Sequence, residues 1–185
     1  MTAMAGPFVP ADPEAQDYYE RIASPIGPLL LTGRDDALTG LYMLAGPHGG
    51  SAPVPPGSRR EPTAFAAVTA QLAAYFAGEL TEFDVPLSPA GSPFQLDVWA
   101  ELTRIPYGTT ISYGTLARRL GKPLSASRAV GAANGQNPIS VIVPCHRVIG
   151  ADGSLTGYGG GLDRKETLLR LEQAPAMQAL DATLW

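Results

Sequence analysis

The run Ile139-Ser140-Val141-Ile142-Val143-Pro144-Cys145-His146-Arg147-Val148-Ile149 is an apolar approach, a proline break, a Cys-His pair and a short apolar exit. A cysteine in such a setting is ordinarily an inert core residue. A neighbouring imidazole changes the expectation, because only the thiolate is a strong nucleophile and a nearby base or cation generates it near neutral pH. Adjacent residues of an extended strand point to opposite faces. Cys145 and His146 can therefore cooperate only through a non-extended backbone, which Pro144 favours, or through a bridging water. A carboxylate on the other ring nitrogen would orient such a base, and Asp152, Asp163, Glu166 and Glu172 lie downstream. Spacing does not select among them.

Cys145 is the only cysteine, and His48 and His146 are the only histidines. An intramolecular disulfide is excluded, a cysteine-and-histidine zinc cage is not expected, and a lone thiol fits a reducing compartment. The N-terminal MTAMAGPFVPADPEAQ has no basic region followed by an apolar run, and no stretch approaches the roughly 20 apolar residues that span a bilayer. The expected location is cytoplasmic, on the nucleoid in a bacterium, with no membrane partner. His48 falls in GPHGGSAPVPPGSRREP, residues 46–62, whose Gly, Pro and Ser content reads as an exposed loop without chemistry.

The net charge of −4 conceals a segregation. Residues 1–90 carry four arginines against ten carboxylates, whereas residues 91–172 carry nine basic residues against six acids. Between Leu102 and Ala151 there is no Asp or Glu, while Arg104, Arg118, Arg119, Lys122, Arg128 and Arg147 all fall there. That segment could face phosphates.

The elements that must carry these residues divide near residue 90. Tyr18 to Ile22, Pro28 to Thr32 and Leu38 to Leu44 read as strands of a small meander, separated by turn formers at 24–27 and 33–36. Thr63 to Ala77 places Phe65, Val68, Leu72, Tyr75 and Phe76 at helical spacing, an amphipathic helix packed on that meander. Residues 83–93 read as a last strand running into a Pro/Gly linker, after which Phe94, Val98, Trp99 and Leu102 share one helical face. The 185 residues thus divide into an N-terminal domain, 1–90, with a leader and the loop 46–62, a C-terminal domain, 91–175, and a tail, 176–185.

Within the second domain Ser112 can cap a helix running through Leu116, Ala117 and Leu120 to a stop at Gly121. After a Lys-Pro turn, Ser125 can cap another running through Val130 to about Asn134, giving a helix-turn-helix with Arg128 early in its second helix. That helix offers Ala126, Ser127, Ala129, Gly131 and other small side chains with one long cation, poor equipment for bidentate base readout. Small residues permit close backbone approach instead. Such a helix can settle against a sugar-phosphate groove while Arg128 reaches in as a wedge.

The motifs PCHRV (144–148), RAVGAANGQNP (128–138) and ISYGTLA (111–117) resemble the O6-alkylguanine-DNA alkyltransferase family over residues 92–172. The resemblance implies an α+β chain, a ribonuclease-H-like N-terminal α/β domain followed by a mostly helical winged helix-turn-helix domain. It implies direct-reversal repair of O6-alkylguanine, and of O4-alkylthymine, in double-stranded DNA, with the alkyl group passing irreversibly to Cys145 in one turnover. His146 would be the water-mediated base and Glu172 its orienting partner. Tyr113 would crowd the phosphate beside the lesion and protonate the leaving guanine, Arg128 would fill the gap left by the extruded base, and Asn137 would tie the recognition helix to the cysteine loop. Ala126, Ser127, Ala129 and Gly131 would line the DNA-facing helix.

Val148, Tyr158, Gly159, Gly160 and Ser140 would form the base pocket under the same resemblance. Relatives often carry Ser or Ala where this chain has Gly159, and some carry Pro where it has Ser140, so the loop loses a hydroxyl and tolerance of bulky adducts is not implied. No organic cofactor and no metal are implied, and the protein is expected to act as a monomer, with cooperative assembly on DNA left open. The chemistry requires nucleotide flipping, because an alkyl group on O6 lies within the base stack. A thioether offers water no acyl or ester bond, so the acceptor is consumed. Three rivals remain: a lesion binder lacking the acceptor thiol, against which Cys145 argues directly; a helix-turn-helix regulator, which has no recognisable effector domain here; and a cysteine hydrolase, which predicts turnover.

Overall fold

A computed structural model of the chain describes residues 7–44 and 54–182, which divide into two units. His48 and residues 46–53 of the expected loop lie outside the described residues. The first unit comprises residues 7–44, 54–91 and 138–140.

Its frame is a meander of β1 (Asp17–Ile22), β2 (Leu29–Arg34) and β3 (Ala37–Met43), antiparallel throughout, in register from Asp17 opposite Arg34 to Ile22 opposite Leu29. Leu29, Leu30 and Leu31 are wholly buried, as a central strand with two covered faces requires. Against the meander lies α1 (Ala66–Phe76), entered by a 3₁₀ turn at Pro62–Phe65, with Phe65, Val68, Leu72 and Tyr75 buried. Part of the expected loop is strand: β4 (Arg59–Arg60) pairs parallel to β1, and Arg60 reaches Glu20 at 3.0 Å. The expected strand at 83–93 does not form. Only Leu87 makes isolated bridges, to Phe8 and Leu38, because Pro86 and Pro89 remove ladder donors on either side. A return of the chain that the sequence did not announce, Pro138–Ser140, pairs with β3 at Leu41.

The second unit contains residues 92–137 and 141–182. Ser92 and Gln95 form a reciprocal capping box that starts α2 (Pro93–Leu102), which buries Val98, Trp99 and Leu102. The Ser112 hydroxyl accepts from the Thr115 amide and starts α3 (Tyr113–Arg119) directly from the short strand β5 (Ile111–Ser112). Gly121, at φ 66°, takes the left-handed conformation that closes α3. The following helix starts later than expected and without a side-chain cap: a 3₁₀ turn at Leu124–Ala126 leads into α4 (Ser127–Gly135), and Ser127 donates its hydroxyl to the Leu124 carbonyl, leaving Ser125 no capping role.

Trp99 donates its indole N–H to the Ala133 carbonyl at 2.8 Å, fixing α4 against α2. Strand β6 (Val148–Ile149) pairs parallel with β5, Ile111 opposite Val148, so the residues after Cys145 are tied to the start of α3. The unit closes with α5 (Leu162–Leu171) and α6 (Pro175–Ala182). The expected tail from residue 176 is thus helical as far as residue 182, because Ala174 and Met177 pack with Ile149 and Leu169.

Candidate active site

Pro144 breaks the extended approach at φ −83° and ψ 64°, and Cys145–Arg147 turn as a single 3₁₀ helix. With three residues per turn, successive side chains leave the axis about 120° apart. Cys145, His146 and Arg147 therefore point in three directions from one turn, where a strand would have alternated them. The approach itself is constrained: Val141, wholly buried, sits at φ 72°, a conformation a β-branched residue holds only where its surroundings impose it.

His146 is fully buried, and its Nε2 lies 2.8 Å from Oε1 of Glu172. Its Nδ1 has no hydrogen-bond partner among the described residues. Burial pushes the imidazole below its ordinary pKa; Glu172 opposes that shift, while Arg147 and Lys165 reinforce it. His146 is therefore a neutral base at neutral pH. Of the four downstream carboxylates, the geometry brings only Glu172 to the imidazole. Asp152 accepts from Ser154, Glu166 pairs with Arg170, and Asp163 lies exposed in the first turn of α5.

Glu172 caps the C-terminus of α5, where the helix dipole disfavours a negative charge. Burial alone would raise its pKa, yet hydrogen bonds and charge from His146 and Arg147 hold it well below the usual carboxylate range. Arg147 contributes two parallel bonds, Nε to Oε2 and Nη2 to Oε1, each 2.9 Å, and its Nη1 donates to the Ile105 carbonyl at 2.6 Å. The Gly108 amide adds a fourth donor, 3.2 Å from Oε2. Gly108 is at φ 71°, and a Cβ there would stand 2.8 Å from the Glu172 carbonyl oxygen, so glycine is required twice over.

The Cys145 thiol is 5% exposed. Burial pushes its pKa up, opposed by a hydrogen bond from Asn137, by the charge of Lys165 and by the backbone amides of Cys145 and His146. The resting side chain is thus a thiol that needs a base. Asn137 donates to the Val143 carbonyl at 2.7 Å, and the buried Asn134 on α4 lies 3.5 Å from the Cys145 carbonyl, so two amides tie the end of α4 to the cysteine segment.

Tyr113 opens α3 and donates its hydroxyl to the Thr156 carbonyl at 3.1 Å. Burial raises its pKa, the Thr156 bond lowers it, and Cys145 raises it again, which marks the phenol and the thiol as neighbours. Lys165 is wholly buried on α5 and donates to the Val148 carbonyl at 2.6 Å and to that of Thr156 at 2.7 Å. Burial lowers its pKa to about 8. The loop holding Tyr158, Gly159 and Gly160 is thereby fastened beside β6, with Lys165 Nζ 6.0 Å from the Tyr158 ring centre. A Cβ on Gly131 would meet the Tyr113 ring at 3.5 Å, so α4 passes close to that ring.

Along α4, Arg128 and Ala129 are exposed, and Ala126, Ser127 and Gly131 are half-buried. Among the sequence-expected site residues, the second unit assembles Cys145, His146, Glu172, Asn137, Tyr113 and Val148. Ser140 belongs to the first unit, in the segment paired to β3. Sequence reasoning gave no site role to Arg147, Lys165, Asn134 or Gly108. Only the adjacency of Arg147 to the Cys-His pair could have flagged any of them, since their partners lie 9 to 64 residues away along the chain.

Residues 93–174 match the DNA-binding domain of 6-O-methylguanine DNA methyltransferase, and residues 18–89 match the ribonuclease-like domain of the same family. A methylated-DNA–protein-cysteine methyltransferase of Mycolicibacterium paratuberculosis is 57% identical over 155 residues, 84% of this chain and 92% of that protein. One from Methanosarcina acetivorans is 52% identical over 84% of this chain and 97% of its own length. The crystal structure of Mycobacterium tuberculosis OGT in complex with DNA superposes with a TM-score of 0.79 at 55% identity, covering 88% of this chain and 98% of that one.

Proposed function

Since the chain belongs to the 6-O-methylguanine DNA methyltransferase family, we propose that it reverses alkylation damage directly, taking the alkyl group from O6 of guanine, and from O4 of thymine, onto Cys145. The observation that carries this reading is the buried turn at 145–147, in which a lone thiol is followed directly in the chain by a neutral imidazole whose Nε2 is held by Glu172. His146 Nδ1, without a hydrogen-bond partner among the described residues, is the position to which a water can relay the thiol proton.

The chemistry then balances. The thiol proton passes through that water to Nδ1, Sγ attacks the alkyl carbon, the carbon–O6 bond breaks with its electron pair on guanine, and Tyr113 protonates the departing base. The product thioether resists water. A protein of this kind removes one alkyl group and stops.

Access to O6 requires the nucleotide to leave the stack. Exposed Arg128, which makes no hydrogen bond or ion pair among the described residues, occupies the vacated space, while the small residues Ala126, Ser127, Ala129 and Gly131 let α4 approach the backbone. The carbonyl of Val148 and the loop of Tyr158, Gly159 and Gly160 meet the base edge. Asn137 couples α4 to the cysteine segment. The protein works as a monomer in the cytoplasm, residues 91–175 bearing the repair chemistry. No helix among the described residues is long and apolar enough to cross a membrane.

Stoichiometry tests the reading. With limiting protein and excess duplex containing O6-methylguanine, repair should end at one lesion per chain, and continued turnover would rule it out.

A further inference from the structure

We infer that Arg147 is a positioning residue that fixes the proton of His146 on Nε2, and so keeps Nδ1 open as the acceptor for the thiol proton. The inference rests on the reading of His146 as the base for Cys145.

Donors and acceptors around Glu172 fix the tautomer. Oε1 of Glu172 meets His146 Nε2 at 2.8 Å and Arg147 Nη2 at 2.9 Å, and Oε2 meets Arg147 Nε at 2.9 Å and the Gly108 amide at 3.2 Å. A guanidinium and a peptide N–H can only donate. Both carboxylate oxygens are therefore acceptors, and a proton on either would face a donor. The imidazole atom opposite Oε1 must then be an N–H, which leaves the lone pair of neutral His146 on Nδ1.

Removing the guanidinium offers Glu172 two escapes from a buried, half-satisfied charge at the end of α5. It can take a proton and donate it to Nε2, which moves the imidazole proton to Nδ1. Alternatively it can hold the imidazole as a cation, with both nitrogens protonated. Either way Nδ1 can no longer accept.

Arg147 is built to prevent this. Its third donor is fixed on the Ile105 carbonyl at 2.6 Å, and its guanidinium carbon lies 5.8 Å from the centre of the Tyr107 ring. The head group is thereby clamped from the loop after α2 and presents a planar fork matching both carboxylate oxygens, which a lysine could not span. The charged and titratable groups around His146 are Glu172 and Lys165 from α5 and Cys145 and Arg147 from its own turn, with Tyr107 behind the Arg147–Glu172 pair. Arg147 is the group bonded to both oxygens of the partner that sets the tautomer.

Long-range 1H–15N spectra of the full chain labelled at histidine read the tautomer directly, and His48→Asn leaves only the His146 signals. The wild-type pattern expected at neutral pH is protonated Nε2 with bare Nδ1. In Arg147→Met, Nδ1 should be protonated and the acid limb of methyl transfer should move to higher pH, with a loss of about tenfold or more just below neutrality. Arg147→Lys should restore a bare Nδ1 at an intermediate rate. If Arg147→Met does not fold, Arg147→Gln, which drops the charge but keeps a donor, carries the same expectation.

Protonated Nδ1 in the wild type, or bare Nδ1 with an unmoved acid limb in the folded neutral variant, would overturn the inference. A bare Nδ1 in a protein that transfers no methyl group would instead sink the functional reading and leave the lock standing.

Discussion

Nε2 of His146 and Oε1 of Glu172 stand 2.8 Å apart with both side chains wholly buried, so the imidazole can neither rotate nor exchange its partner for bulk water. The cost of breaking this pair falls on two functions at once. In Glu172→Gln an amide N–H must face a donor, either His146 or Arg147, and the guanidinium loses its counter-charge. Alkyl transfer in single-turnover kinetics should fall by about 10² or more. Unfolding free energy should fall by about 3 kcal/mol in urea titrations. A variant with unchanged rate would remove Glu172 from the mechanism.

The same groups set how stability responds to acid. Burial depresses the pKa of His146 below its ordinary 6.5, so the unfolded chain binds the proton first and stability falls as pH drops below about 6.5. Glu172, also depressed in the folded state, stabilises fully above about 4.5, and that contribution is lost as pH falls further. Unfolding titrations from neutral pH to about 4 should show a decline beginning near the imidazole range and steepening in the carboxylate range. Each group contributes up to about 1.4 kcal/mol per pH unit. A flat profile would contradict the burial and pairing described.

Much of this was legible in the sequence, and the limits have physical causes. Short runs between turn formers marked β1 to β3, and helical spacing with the Ser112 cap marked α1, α2 and α3, because each pattern is local. The Cys-His pair was visible as chemistry, but its partner was not. Selecting Glu172 over Asp152, Asp163 and Glu166 depends on where α5 ends relative to residue 146, a tertiary fact that only the family resemblance supplied. Arg147 read as one more cation of a basic segment, although it is buried against a carboxylate 25 residues away. The return of residues 138–140 to β3 is too short to carry a periodicity, and in residues 83–93 Pro86 and Pro89 remove ladder donors from a run that otherwise reads as a strand.

Arg128→Ala separates recognition from chemistry. The side chain is exposed and makes no hydrogen bond or ion pair among the described residues, so stability should be unchanged. Flipping, however, loses the group that fills the vacated space. Repair in duplex DNA should slow about tenfold or more while transfer from the free alkylated base stays near wild type. Equal slowing on both substrates would remove the wedge assignment.

Asn137→Ala cuts the 2.7 Å bond to the Val143 carbonyl and the hydrogen bond to the Cys145 thiol. Burial then raises the thiol pKa without that opposition. The rate of Cys145 alkylation by a small electrophile should fall, and stability should drop by about 1 kcal/mol, the net worth of one hydrogen bond, since the Val143 carbonyl keeps the Cys145 amide at 2.8 Å. Full thiol reactivity in a destabilised variant would leave Asn137 a purely structural tie.

The central claim is that Cys145 itself accepts the alkyl group, and having a single cysteine makes the test unambiguous. The direct measurement is intact and peptide mass spectrometry after incubation with duplex DNA carrying O6-methylguanine. One methyl per chain, located on the peptide containing Cys145 and absent in Cys145→Ala, with guanine restored in the DNA, is the predicted result. Restored guanine with an unmodified protein, or a methyl group on any other residue, would contradict it.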